Sequence, residues 1–371
     1  MKLGLSRIIV VILALAAPAV AEPLELPSDG LENRVEFWKK VFTQYGEDDI
    51  IVHDRFHVNL IYDVASESDV ASKVTAVRQA LDEVRNGLGT QENLSLTAKQ
   101  VRDAIVSNGI PLSATTLGGL RDNIHTQRGI KERFRQGIIR SGRYVDNFQE
   151  VFEAQGIPAQ IALLPLVESS FENRSLSKAG AAGIWQFTRG TGRLYMKVTR
   201  NLDERLDPAK ATRAAARLLR DNYKALGSWP LAITAYNHGR AGMMRARSEV
   251  GTSDITKIVS EYKGRLFGYA SMNFYSEFLA AVDVYNNYQQ YFGQLTLDKP
   301  STKQSAAPAP TKVAAKAPTK PAASPADKYK VRKGDTLYEI AQKFGMSLGE
   351  LMDLNNLRNS VIHSGQILLV K

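Results

Sequence analysis

Apolar positions recur at helical spacing along most of this chain, and strand-like alternation is brief. Residues 35–45 place Phe37, Val41 and Phe42 on one side of a helix. Residues 58–64 read as a strand, and residues 70–88 return to helical spacing. Several short helices follow between 97 and 156. Those at 129–139 and 144–154 are amphipathic, the second with Val145, Phe148, Val151 and Phe152 on one face. Gly156-Ile157-Pro158 ends that helix and starts another, because proline suits a first helical turn. This next helix ends its apolar run on a single carboxylate, Glu168.

A small-residue loop at 173–183 leads to Gly183-Ile184-Trp185-Gln186-Phe187, where a further helix is expected to begin. Asp207-Pro208 pairs an N-cap with a proline at the first helical position, and that helix runs to Gly227, a natural C-cap. Pro230 opens another helix, ending at Ala235-Tyr236-Asn237-His238-Gly239. Phe274, Phe278, Leu279 and Val282 form the stripe of a last long helix at 271–291. Residues 298–327 are rich in Ala, Pro and Lys without apolar periodicity, which describes a tether that cannot bury enough surface to fold. Residues 328–371 read as strand, two helices, strand. The expected fold is mainly α, with a small α+β unit of βααβ order at the end.

Composition narrows the possibilities. The 371 residues are too many for a single growing core. The net charge of +10 is concentrated in the tail, where residues 299–371 carry 12 Lys and Arg against 5 Asp and Glu. Such a tail suits an anionic surface, such as cell envelope or nucleic acid, while the body lacks the basic stripe of a nucleic-acid binder. The chain opens as an export signal at 1–21: Lys2 and Arg7, an apolar run, then Ala19-Val20-Ala21. An exported product with no stable membrane span is expected, with a retained signal anchor as the alternative. The absence of cysteine excludes disulfides, thiolate metal sites and lipid attachment through cysteine. His53 and His57 are four apart, but Asp54 stands where a zinc-protease helix needs Glu, and no third histidine is near. They read as ordinary histidines, and neither metal nor cofactor is expected. Arg189-Gly190-Thr191-Gly192-Arg193 lacks the GK[ST] ending of a phosphate loop.

The chemistry gathers around Glu168. A carboxyl taken out of water without a partner stays protonated and can give its proton to a leaving oxygen. Gln186, Tyr236, Asn237 and Tyr275 add amides and hydroxyls near element ends, which suit a groove for sugars. For Tyr236 and Tyr275 the competing reading is core packing with a satisfied hydroxyl. Glu172 reads as a solvated surface acid, His238 as helix-end filler and Trp185 as a groove wall.

Glu168-Ser169-Ser170-Phe171, Gly183-Ile184-Trp185-Gln186, Ala235-Tyr236-Asn237-His238-Gly239 and the helix around Tyr275 come in order across about 145–290. In this the chain resembles the lysozyme-like lytic transglycosylases of glycoside hydrolase family 23. Tyr329-Lys330-Val331-Arg332-Lys333-Gly334-Asp335-Thr336-Leu337, Ile340-Ala341, Leu354-Asn355-Asn356-Leu357 and Gly365-Gln366-Ile367-Leu368 resemble a LysM module.

The resemblance implies a lysozyme-like helical catalytic domain at 96–297, after an N-terminal region of unassigned role at 22–95. Glu168 would act as catalytic acid and then base on peptidoglycan glycan strands. It would cleave the bond between N-acetylmuramic acid and N-acetylglucosamine without water and leave 1,6-anhydro ends. That no second carboxylate is obviously paired with Glu168 fits such a reaction, since common glycosidases use two. Ser169 and Gln186 would position substrate, together with Tyr236. Asn237 would bind an N-acetyl or peptide-side group, and Tyr275 would hydrogen-bond Glu168. The LysM residues expected to meet glycan are Gly334, Asp335, Thr336, Leu337, Asn359 and Ile362. A hydrolytic muramidase and a non-catalytic wall-binding protein are the alternatives. Two departures stand out. Many family members have Leu-Met where this chain has Ile184-Trp185, and the membrane-bound type is usually anchored by a lipid on cysteine, which is absent here.

Overall fold

The computed structural model describes residues 26–89, 94–300 and, in the C-terminal unit, 327–332, 340, 344, 351, 354, 355, 357, 362, 363 and 365–370. The expected signal at 1–21 and most of the tether at 298–327 lie outside the described residues. The chain divides into two compact units, Met1–Ser301 and Thr302–Lys371.

The first unit is mainly helical. α1 (Glu32–Thr43) buries Phe37, Trp38, Val41 and Phe42 in the main core. It packs on α5 (Lys131–Ser141) and α13 (Tyr269–Asn286), and Phe42 stacks on Phe134 of α5 at 4.2 Å. A three-stranded antiparallel sheet follows in the order β2 (Ile61–Ala65), β1 (Ile50–Asp54), β3 (Ile124–Arg128). β1 is buried throughout because both faces are covered. Ile51 points into the main core and Val52 into a second core. That second core is made by α2 (Val70–Asn86), α3 (Leu96–Ser107) and α4 (Ala114–Asp122), which are packed together.

The boundary expected at 95/96 therefore does not separate two bodies. α2 and α3 share one core across it, and β3 from beyond it completes the sheet that β1 begins. β1 and β3 escaped the sequence pattern for opposite reasons. One is buried on both faces and shows no alternation, while the other, Ile-His-Thr-Gln-Arg, is largely polar.

The rest of the unit is α6 (Val145–Glu153), α7 (Pro165–Glu168), α8 (Arg189–Tyr195), α9 (Pro208–Leu226), α10 (Trp229–His238), α11 (Arg240–Val250), α12 (Ile255–Glu261), α13 and α14 (Tyr288–Phe292). Asp207 caps α9 by accepting from the Lys210 N–H, and Gly227 ends it in the left-handed conformation. α9 buries Ala211, Ala214 and Ala215 and packs on α10, and such small residues allow close approach of neighbouring helices. α10 is buried on all sides from Trp229 to Ala235 and lies between α9, α11 and α13. Among the described residues no helix is long and apolar enough to cross a membrane.

In the second unit β4 (Asp327–Lys330) pairs antiparallel with β5 (Ile367–Val370) over a core of Val331, Ile340, Leu351, Leu368 and Val370. Asn355 acts as a substitute strand partner. Its amide donates to the Leu369 carbonyl at 2.8 Å, and its Oδ1 accepts the Leu369 N–H at 2.6 Å.

Because Phe42 belongs to the main core, Phe42→Ala should cost about 3–5 kcal/mol while unfolding remains a single transition. Chemical denaturation followed by tryptophan fluorescence and circular dichroism checks this; an early, separate step for the N-terminal region would contradict it.

Candidate active site

The site begins at a short break in helical structure. A 3-10 turn at Ala159–Leu163 leads into α7, a single turn with Pro165 in its first position and Glu168 at its last. The chain then reverses. Ser170 (φ 50°) and Phe171 (φ 56°) adopt left-handed conformations, and Gln186 (φ 46°), in the neighbouring loop, is the third non-glycine residue to do so among the described residues. Each such residue costs on the order of 1–3 kcal/mol, so its surroundings must over-determine it.

Those surroundings can be named. The Phe171 N–H donates to the Pro165 carbonyl at 3.1 Å, and its buried ring packs against Tyr144 and Phe148. Arg140 Nε donates to the Ser170 carbonyl at 2.9 Å. Gly137 of α5 lies so close beneath the turn that a Cβ there would come within 2.9 Å of Ser170 Cβ.

The neighbouring loop is held as tightly. Gly183-Ile184-Trp185-Gln186 is a turn between the bridged residues Ala182 and Phe187, not the helix start its pattern suggested; helix resumes at Arg189. Gly183 has φ 79° and faces the Arg205 carbonyl, which would sit 1.9 Å from an added Cβ, so only glycine fits. Arg205 is itself buried. It is held bidentately by Asp203 (2.9 and 2.7 Å) and donates to the carbonyls of Gly180 and Phe187, both at 2.8 Å. Trp185 is no groove wall. It is fully buried against Phe148 and Phe152, with its indole N–H donated to Thr212 Oγ1 of α9 at 2.9 Å.

Ser169, Gln186 and Tyr236 come together on the loops that frame Glu168, whereas Asn237 and Tyr275 engage other partners. Ser169 is buried, and its hydroxyl donates to the Ile184 carbonyl at 2.7 Å, tying the Glu168 turn to the neighbouring loop. Gln186 donates its amide to the carbonyls of Gly183 (2.9 Å) and Ser175 (3.2 Å) and so braces its own loop. Tyr236 of α10 donates to the Trp185 carbonyl at 2.7 Å, and its hydroxyl is held un-ionised by burial and by the nearby Glu168 charge. Asn237 is exposed at the end of α10, with Oδ1 accepting from Ser271 at 3.0 Å and its amide nitrogen unengaged among the described residues.

Tyr275 does not hydrogen-bond Glu168. Its buried hydroxyl donates to the Pro27 carbonyl at 2.9 Å. Glu172 is exposed and lies 4.0 Å from Arg140. His238 stands at its helix end, 3.2 Å from Ser271 Oγ. In the C-terminal unit Gly334, Asp335, Thr336, Leu337 and Asn359 lie outside the described residues, and Ile362 packs against the core.

Glu168 itself is half-buried, and its carboxyl has no hydrogen-bond or ion-pair partner among the described residues. Withdrawal from water pushes its pKa up to about 8. In the sequence no second carboxylate is obviously paired with Glu168, but the structure brings one near it. Glu277 of α13, also half-buried and unpartnered, lies within electrostatic reach of Glu168. Burial first, and the Glu168 charge second, push its pKa to about 8. One signal could have revealed it: Glu277 stands in the apolar stripe Phe274, Phe278, Ala281, where a core helix has no use for a charge. The arrangement offers a proton-bearing carboxyl on a rigid, strained turn, which is the equipment of a general acid.

A family model described as "Transglycosylase SLT domain" matches residues 147–259, and one described as "LysM domain" matches 329–371. The chain thus carries both domains. The first span includes Glu168, Gln186, Tyr236 and Asn237 and stops short of α13. Over 276 residues the chain is 28% identical to the membrane-bound lytic murein transglycosylase D of Escherichia coli (strain K12), covering 58% of this chain and 60% of that protein. It is 33% identical over 100 residues to a putative tributyltin chloride resistance protein of Alteromonas sp. (strain M-1), covering 26% and 48% of the two chains. It is also 49% identical over 45 residues to the N-acetylmuramoyl-L-alanine amidase sle1 of Staphylococcus saprophyticus, covering 12% and 14%. The chain spans about three fifths of the length of the transglycosylase relative.

A carboxyl whose pKa is raised on folding stabilises the fold only while it stays protonated. Its contribution is full below the ordinary value of 4.5 and is lost as pH rises towards about 8. Glu168→Gln should therefore melt higher than the wild type at pH 8, with little difference at pH 4.5. Calorimetry at the two pH values checks this; equal melting temperatures at both would contradict it.

Proposed function

We propose that this chain is a peptidoglycan lytic transglycosylase held on its substrate by its LysM domain. The observation that carries the reading is the unpartnered, half-buried carboxyl of Glu168, which bears a proton at neutral pH and lies within the span matched by the SLT domain. In this reading Glu168 gives its proton to the glycosidic oxygen between N-acetylmuramic acid and N-acetylglucosamine, and the C1–O bond breaks. The substrate's own acetamido group shields the cationic centre. The Glu168 carboxylate then takes the proton of the muramyl 6-hydroxyl, whose oxygen bonds to C1. The product is a 1,6-anhydro end, no water is consumed, and the acid is restored.

Asn237 offers its amide nitrogen to an N-acetyl or peptide-side group. Ser169, Gln186 and Tyr236 act one step back, holding the loops that frame the acid. The LysM domain, carried on the Ala/Pro/Lys tether, raises the local concentration of glycan around the SLT domain. The residues proposed to meet glycan are Gly334, Asp335, Thr336 and Leu337, with Asn359 and Ile362. The protein acts outside the cytoplasm, in the cell envelope, after export by its N-terminal signal.

A second reading, a hydrolytic muramidase, draws on Glu277, because hydrolases use two carboxyls. A third is a wall-binding protein without catalysis. Digestion of purified peptidoglycan separates all three. Anhydromuropeptides, lighter by one water than the hydrolysis products, should accumulate with the wild type and be absent with Glu168→Gln. Reducing ends would establish the hydrolase instead, and no release by either protein would establish a binder.

A further inference from the structure

α13 packs against α7, and its helical phase decides which of its side chains can face Glu168. Residues two apart on a helix point about 200° apart, so Tyr275 and Glu277 cannot both turn to the acid. Tyr275 turns to the N-terminal segment and donates to Pro27. Glu277 lies on the other side of the helix, half-buried and within electrostatic reach of Glu168.

Its surroundings leave that carboxyl uncommitted. No hydrogen-bond donor and no cation reaches it among the described residues. The cations of α1, the helix packed most extensively on α13, are engaged elsewhere. Arg34 donates to Asn273 Oδ1 (2.7 Å) and the Phe56 carbonyl (3.0 Å), Lys39 pairs with Asp283 (3.0 Å), and Lys40 donates to Asn59 (3.0 Å). The other titratable groups nearby are Glu168 of α7, Tyr236 of α10, which faces Glu168, and Tyr269 on α13 itself. None of these supplies a positive charge. His238, at the end of α10, is turned to Ser271. A carboxylate without donors in a half-buried place is costly, whereas the neutral acid is not and carries an O–H to give.

We propose that Glu277 is a second substrate-contacting carboxyl of this site, and that it works as a hydrogen-bond donor to a carbonyl or hydroxyl oxygen of the glycan. The inference rests on the transglycosylase reading and deepens it. Burial raises the proton affinity of Glu277 as it does that of Glu168, in keeping with this role. The negative charge left on Glu168 after proton transfer then faces a neutral acid rather than a second carboxylate. Glu277 takes no part as a base towards water.

The experiment follows initial rates on purified peptidoglycan against pH for the wild type, E277Q and E277A, with product masses and melting temperatures recorded for each. Gln keeps a neutral donor, so E277Q should retain several-fold more activity than E277A at pH 6 and give the same anhydro products. E277A, which loses the donor, should fall about tenfold at pH 6 while still melting as a folded protein. The wild type needs both protons, so its alkaline limb should approach a slope of about two, while that of E277Q should fall with a slope of about one. Two results would overturn the inference: E277A matching the wild type in rate and limb, or E277Q as inactive as E168Q, which would mean that the charged form is required. If the wild type releases no anhydro products, the transglycosylase reading fails and takes this inference with it. If it releases them and E277A is unchanged, only the inference fails.

Discussion

A carboxyl that has left bulk water and met no donor holds a negative charge poorly, and the first unit of this protein is organised to keep Glu168 in that position. Desolvation alone accounts for its raised proton affinity; no neighbouring charge is needed. Among the described residues most acids find a cation, a backbone N–H or open solvent. Glu168 and Glu277 meet neither cation nor N–H there, are half-buried, and lie within electrostatic reach of one another.

Holding an acid there asks for rigidity, and the clamps around it share one design. Each joins a side chain from one element to a backbone carbonyl of a loop: Arg140 to Ser170, Ser169 to Ile184, Tyr236 to Trp185, Arg205 to Gly180 and Phe187. Backbone acceptors fix where a loop runs whatever its side chains are. That is how Ser170, Phe171 and Gln186 can be kept in conformations that L-residues seldom adopt. Glycine appears where two backbones must nearly touch, at Gly137 and Gly183. The fold thus gives up some local backbone preference at the site and recovers stability in the aromatic layer behind it, where Phe148, Phe152, Phe171 and Trp185 pack.

Much of this was legible along the chain, because it depends on local chemistry. Asp207-Pro208 and Gly227 announced α9 at both ends, and the stripe of Val145, Phe148 and Phe152 announced α6. The isolated acid at the end of an apolar run marked Glu168. What stayed hidden depends on partners distant in sequence. β3 is a strand because β1 is beside it, not because of its own pattern. Trp185 is core because Thr212 and Phe152 enclose it. Tyr275 anchors the N-terminal segment instead of meeting Glu168 because only packing sets the rotation of α13.

The central claim is that Glu168 carries its proton at neutral pH because it is desolvated and unpaired. Infrared difference spectroscopy of the folded protein, taken against E168Q across a pH titration, reads that proton directly. The account predicts a protonated-carboxyl band assignable to Glu168 at pH 7 that fades around pH 8. A carboxylate band for Glu168 already complete at pH 6 would contradict it.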